Sequence, residues 1–286
     1  MGYRNEATIV DAVASVVGHV GDDEIDVVVV VSGGDGSGEA VHAAFAGVKV
    51  VERAERLLPG GARNLGVAAA RGEVVAFLAA DCVAEPGWVA ARLAAHRAGR
   101  PVVAGAMTAA APVGPSAWAS HFVLFGHRLS GRRPGSIDHR DPAAHGLSYD
   151  RAVLDRLGPF DPDVLIGEDT DAARRLATLG IPVWFEPTVR TAHRGPAGVR
   201  ALVADQQRRT RDASRAKGPA LEPLSPVAAL WRFPVAWALG TARTVRVGWR
   251  NGRGERGQLV RCLPWIALAR AAGQVGTYRE RLALRR

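Results

Sequence analysis

Five consecutive valines, Val27–Val31, inside the run Ile25–Val31 set the first constraint on this chain. A β-branched run without alternation suits a strand buried on both faces, and such a strand needs helices above and below its sheet. Further short apolar runs follow at Val48–Val51, Val74–Ala80, Pro101–Met107 and Pro182–Phe185. Stretches of helical period lie between them. The first holds Ile9, Val10, Val13, Val16 and Val17, with Asn5 or Thr8 available as its cap. With 286 residues and a 48% hydrophobic fraction, the chain is predicted to fold as one large α/β domain with an appendage.

The chemistry is concentrated where these runs end. The strand Ile25–Val31 runs into Ser32-Gly33-Gly34-Asp35-Gly36-Ser37-Gly38. A plain turn and a phosphate loop both fit that composition, but the G-x-G-x-x-G spacing of a dinucleotide site fails at Glu39. In Gly61–Trp88 a small-residue helix opening with Arg63 and Asn64 precedes the run Val74–Ala80, and Asp81 follows at its end. A carboxylate at the carboxyl end of a sheet strand faces the ligand edge, and an Arg at a helix start can pair with phosphate. Further on, Glu168, Asp169 and Asp171 crowd one helix start, where acids also complement the helix dipole. His193 stands alone, and His121, His127 and His139 lack metal-ligand spacing. Cys82 and Cys262 make no disulfide framework, which suits a reducing cytosol.

Taken together, these motifs resemble family 2 glycosyltransferases of the GT-A fold over about residues 3 to 195. The matching segments are Tyr3-Arg4-Asn5-Glu6, Ala62-Arg63-Asn64-Leu65-Gly66, Phe77-Leu78-Ala79-Ala80-Asp81, Gly158-Pro159-Phe160-Asp161, Glu168-Asp169-Thr170-Asp171 and the run from Pro187 to His193. The resemblance implies a mostly parallel, Rossmann-like sheet flanked by helices, occupying residues 1–196. It implies an inverting transfer of sugar from a nucleotide-sugar donor to an acceptor hydroxyl. Asp169 would be the base, with Glu168 beside it. Asn5, Ser32, Asp35, Arg63, Asn64 and Asp81 would contact the donor, and Gly146 and Tyr149 the acceptor. Asp81 and His193 would hold Mg²⁺ or Mn²⁺. Two departures stand out, Ala79 for the first Asp of the family's D-x-D and Ser32 for an acid after the second strand. The family's first strand is also missing, so Met1 is expected to be an internal residue of a longer chain. These departures also favour a second reading, an inactive GT-A scaffold that binds a partner or a membrane.

Residues 197–286 differ in kind. They carry 18 Arg/Lys against 5 Asp/Glu, whereas the rest carries 19 against 23, making the formal charge of +9. The apolar segments Leu224–Leu239 and Leu259–Val275 contain arginines and are too short to span a bilayer as ordinary helices. With Trp231, Trp237, Trp249 and Trp265 beside arginines, the segment is expected to be a basic, amphipathic helical extension. A helical cap over the sheet is the simpler reading. The partner implied is an anionic membrane surface rather than nucleic acid, with a carbohydrate or lipid-linked acceptor. The protein would then sit peripherally at the cytoplasmic face of the cell membrane, and no segment before residue 20 has the pattern of a signal peptide.

Overall fold

The computed structural model describes residues 2–3, 6–17, 25–111, 114–138, 141, 146–217 and 220–283. In chain order the first elements are β1 (Gly2–Tyr3), α1 (Glu6–Val17), β2 (Val28–Ser32), α2 (Ser37–Ala44), β3 (Lys49–Arg53), α3 (Pro59–Ala69), β4 (Val74–Ala76), β5 (Cys82–Ala84), α4 (Trp88–Arg97) and β6 (Val102–Ala109). Then come α5 (Pro115–Phe125), β7 (Gly135–Ile137), β8 (Ser148–Asp150), α6 (Arg151–Leu157), α7 (Glu168–Thr178) and β9 (Val183–His193). The chain finishes with α8 (Val199–Arg215), α9 (Pro226–Asn251), α10 (Arg256–Arg261) and α11 (Leu263–Ala283). Two compact units result: Met1–Thr108 with Arg133–His193, and Ala109–Arg132 with Arg194–Arg286. The second unit thus takes Ala109–Arg132 from the middle of the span 1–196.

The first unit is α/β, and its parallel pairing is concentrated at one side. β1, β2 and β3 pair in parallel in that order, with Gly2 opposite Val31 and Val28 opposite Lys49. The other six strands form a second sheet in the order β4-β8-β6-β9-β5, with β7 beside β9. There the pairs β4/β8, β6/β8, β5/β9 and β7/β9 are antiparallel, so the parallel pairing expected of most of the sheet is found among β1, β2 and β3. Val29, Val31, Ile9, Val13 and Val41 fill one core, and Phe77, Tyr149, Phe160, Leu176 and Phe185 another.

Three strands differ from their expected spans, each for a local reason. β2 begins at Val28, after Asp26 has accepted a hydrogen bond from the Arg71 amide at 2.9 Å. The run Val74–Ala80 is not one strand. Antiparallel pairing with β8 ends at Ala76, Phe77 donates its amide to the Leu147 carbonyl at 3.0 Å, and a turn closed from Cys82 N to Ala79 O carries the chain into β5. β9 is longer than expected because it partners both β7 and β5 along its length. Gly2–Tyr3 forms the strand β1, parallel to β2. An apolar cavity of about 230 Å³ is lined by Val28–Val30 of β2, Val74–Ala76 of β4, Ile9 and Val13.

A buried polar strut ties α4 to β8. His96 Nδ1 meets Asp150 at 2.6 Å and His96 Nε2 meets Ser148 Oγ at 2.8 Å, the hydrogen-bond order of a nucleophilic triad. Ser148 is wholly buried, however, and Arg92 also donates to its hydroxyl at 2.9 Å, so no substrate reaches it. Arg92 donates further to the Gly146 carbonyl, lies 4.2 Å over the Trp88 ring, and so fastens the β8 approach to the helix. Burial lowers the His96 pKa from 6.5, outweighing the hydrogen bond and charge of Asp150. The neutral ring therefore donates from Nδ1 to the carboxylate and accepts the serine proton at Nε2.

The second unit is helical. Phe122, Leu129, Leu202, Leu259 and Ile266 form its core, and α11 approaches α8 so closely that a Cβ on Gly276 would lie 2.7 Å from the Gln207 carbonyl. Among the described residues, no helix is long and apolar enough to cross a membrane.

One measurement checks this description. Because His96 has a lower pKa folded than unfolded, its contribution is complete above pH 6.5 and is lost as pH falls from there toward the folded value. The stability gap between the wild type and His96→Gln should narrow as urea unfolding is repeated below that pH, and a constant gap would show that His96 does not titrate on unfolding.

Candidate active site

The site is built where α3 starts against the loop after α6. A Cβ on Gly60 would sit 1.9 Å from the Asp161 carbonyl oxygen, so only glycine lets the first turn of α3 lie on that backbone. Asn64 locks the contact from the next turn: its Nδ2 donates to the Phe160 carbonyl at 2.8 Å, and its Oδ1 accepts the Phe160 amide at 2.9 Å. The side chain predicted to touch the donor is therefore a clamp on the Gly158–Asp161 loop.

This clamp carries Arg63 to the start of α7. Arg63 Nη1 donates to Glu168 Oε1 at 2.6 Å and also pairs with Asp169 Oδ1. The three residues are 5%, 6% and 8% exposed. Rings of Phe77 and Phe160 lie 5.7 and 5.4 Å from the guanidinium carbon. Burial by itself would lower the Arg63 pKa, but Asp169 and then Glu168 overcome it and the net direction is upward. One guanidinium facing two carboxylates leaves an excess negative charge. The amides at the helix start offset part of it, since a helix N-terminus acts as roughly half a positive charge. The αL conformation of Gly167, φ 111°, makes room for this helix start. Asp171 stands apart, paired with Arg175 at 2.8 Å.

Tyr149, expected at the acceptor, belongs instead to the wall of this cluster. It is 2% exposed and packs edge-on against Phe77 at 6.0 Å, so an acceptor cannot reach it. Burial first, and the nearby Asp169 second, push its hydroxyl pKa upward. Gly146, the other expected acceptor contact, has φ 69°, and its carbonyl accepts from Arg92.

A second pair forms at the turn between β4 and β5. Cys82 lies opposite His193 in the β5/β9 register, which brings His193 Nε2 to 3.5 Å from Asp81 Oδ2. The Asp81 side chain is 45% exposed and that of His193 10%, so the carboxylate is open while the imidazole is held. Among the described residues no cluster of three or more metal-ligating side chains occurs, consistent with Ala79 in place of a second Asp.

The remaining predicted residues lie on the β2 side. Ser32 is buried, and its hydroxyl accepts the Leu57 amide at 3.1 Å, fixing the approach to α3. Asp35 accepts from the Ser37 amide at 3.2 Å and the Ser37 hydroxyl at 2.8 Å, in a loop whose Gly33, Gly34 and Gly36 all have positive φ. Asn5 lies outside the described residues. Sequence reasoning missed Arg92 and His96. The one available signal was the i, i+4 spacing of Trp88 and Arg92, which allows a cation–π contact on a helix.

Comparison with known proteins gives this geometry its context. No curated protein sequence matches the chain. Among solved structures it is similar to the mannosyltransferase PcManGT from Pyrobaculum calidifontis, with 19% identity and a TM-score of 0.61 over 100% of this chain and 86% of that one. It is also similar to TarS residues 1–349 from S. aureus, with 16% identity and a TM-score of 0.54 over 99% and 88%. It spans 40% of the GalNAc-T7 chain that it matches over 66% of its own length, at 18% identity and a TM-score of 0.49. The likenesses to PcManGT and TarS identify the fold as GT-A. Residues 2–158 match the model of the family described as Glycosyl transferase family 2, and with more than half its length inside that match the chain belongs to this family of glycosyltransferases.

Proposed function

We propose that this glycosyltransferase transfers a sugar from a nucleotide-sugar donor to an acceptor hydroxyl with inversion, and that Asp169 is its base. The observation that carries this reading is the Arg63–Glu168–Asp169 cluster at the start of α7, where Arg63 fixes the carboxylates. As the acceptor oxygen bonds to the anomeric carbon, its proton passes to Asp169. The bond from that carbon to the diphosphate breaks on the opposite face, so one displacement inverts the centre. Arg63 and the amide of Gly167, which donates to Glu168 at 3.1 Å, hold the carboxylates in place for that transfer.

Asp81 and His193 suit one hard divalent ion. Their 3.5 Å separation is near the spacing of adjacent ligands bound at about 2.1 Å, and an exposed carboxylate beside a held imidazole leaves positions open for phosphate oxygens. Bound there, Mg²⁺ or Mn²⁺ would supply charge neutralisation for the departing nucleoside diphosphate. The PcManGT structure contains GDP-Man and Mn²⁺, and one TarS structure contains UDP, which supports this donor class. The acceptor is a lipid or lipid-linked hydroxyl met at the cytoplasmic leaflet. Support for that comes from the basic balance of residues 197–286, 18 against 5.

Two results would test the chemistry. Asp169→Asn should lower kcat/KM by about a hundredfold to ten-thousandfold while nucleotide binding by calorimetry stays intact. Unchanged turnover would remove Asp169 as the base, and a product that retains the donor's anomeric configuration by NMR would remove inversion. Chelation should suppress turnover, with Mn²⁺ restoring it. Asp81→Asn and His193→Ala should each raise the metal concentration needed by about tenfold to a hundredfold. A metal dependence unmoved by both substitutions would place the ion elsewhere.

A further inference from the structure

α9 runs for 26 residues and presents three different surfaces. One packs within its own unit: Phe233 meets Tyr278 edge-on at 5.9 Å, Thr244 and Gly248 are buried, and a Cβ on Gly240 would lie 2.6 Å from the Arg270 guanidinium. Facing away from that packing are Val227, Leu230, Trp231, Val235 and Leu239, which are 67%, 73%, 74%, 59% and 67% exposed. Their spacing of three to four residues puts them on one arc of the helix, together with Pro234. Along one edge of the arc run Arg232, Arg243, Arg246 and Arg250, again at whole-turn spacings. No Asp or Glu occurs between Pro226 and Asn251.

Five large apolar side chains in an unbroken exposed row mark a surface that another phase or molecule covers. The arginine row narrows what that is. A second copy packed face to face would set four arginines near four arginines, and like charges resist that. An anionic bilayer matches both halves of the surface. The apolar arc enters the boundary between headgroups and acyl chains, while the arginines reach lipid phosphates with long, amphipathic side chains.

We propose that α9 lies in the plane of an anionic bilayer, seated on the arc from Val227 to Leu239 and held by the row from Arg232 to Arg250. This rests on the membrane reading given above and assigns it a surface. The partner is the lipid itself, with a phosphate-bearing headgroup of net negative charge. Because the apolar arc covers only the first half of the helix and the arginines extend past it, the seat is shallow and reversible, not a spanning segment.

Sedimentation of the full chain with phosphatidylcholine vesicles, with or without phosphatidylglycerol, tests the assignment. Wild type should pellet with the anionic vesicles at low salt and be largely released at high salt. The double substitution Leu230→Glu, Trp231→Glu should lower partitioning by about tenfold or more. Arg243→Gln with Arg246→Gln should lower it by about twenty-five-fold on anionic vesicles only, at about fivefold for each charge. Quenching of tryptophan fluorescence by brominated lipid should shrink in Trp231→Phe. All four side chains are exposed or on an exposed row, and an unchanged thermal midpoint confirms that each variant is folded. If wild type ignores both kinds of vesicle, the membrane reading itself fails and the seat with it. If wild type binds and every variant binds equally, the membrane reading stands and this surface is the wrong one. A dimer in sedimentation velocity that Leu230→Glu, Trp231→Glu dissolves, with vesicle binding unaffected, would give the face to a second copy and overturn the proposal.

Discussion

The candidate active site depends on one buried contact, the guanidinium of Arg63 held between Glu168 and Asp169. Taking three charges out of water is costly, and attraction inside a protein offsets the cost only where geometry is good and the remaining charge has a partner. Here the partner is a helix start, and the walls are aromatic faces whose π clouds also favour a cation. Removing Arg63 would leave both carboxylates buried without a counter-charge, whereas losing either acid would still leave one ion pair. The cluster therefore depends most on its guanidinium.

That set exists because backbones approach closely elsewhere. Gly60 rests on Asp161, and Asn64 grips both backbone groups of Phe160, which holds two parts of the chain about a hundred residues apart in fixed register. The Phe160 ring then completes the wall beside Phe77 and Tyr149. A family motif that would otherwise pass for a turn, Gly158-Pro159-Phe160-Asp161, is thereby the seat on which the charged centre is assembled.

Residues whose type announces a chemistry were legible in the sequence. Arg63, Glu168, Asp169, Asp81 and His193 all carry charge or ligand groups at element ends, and the structure gathers them into two pairings. What could not be read was which polar side chain would be taken by the fold's own backbone. Ser32 and Asn64 lose their groups to amides and carbonyls 25 and 96 residues away, distances over which local pattern is silent. Tyr149 was misplaced for a related reason: a three-residue strand has too little alternation to reveal which side faces the core. The break between β4 and β5 was hidden because an alanine-rich apolar run fits one long strand as well as two short ones. Antiparallel partners that arrive more than sixty residues later decide between them. The helical character of the last ninety residues was legible in apolar segments set among arginines and tryptophans, whereas the recruitment of Ala109–Arg132 to them had no local sign.

That recruitment has a consequence for synthesis. Each unit is made of two stretches of chain, and the stretches interleave: Ala109–Arg132 leaves the ribosome before Arg133–His193, yet its partners begin only at Arg194. Phe122 and Leu129 must therefore wait, uncovered, until Leu202, Leu259 and Ile266 have been made. At about 5–20 residues per second that interval lasts several seconds. During it α5 lacks the residues that bury Phe122 in the finished unit. Neither unit can complete its fold while the other half of its own chain is still inside the ribosome.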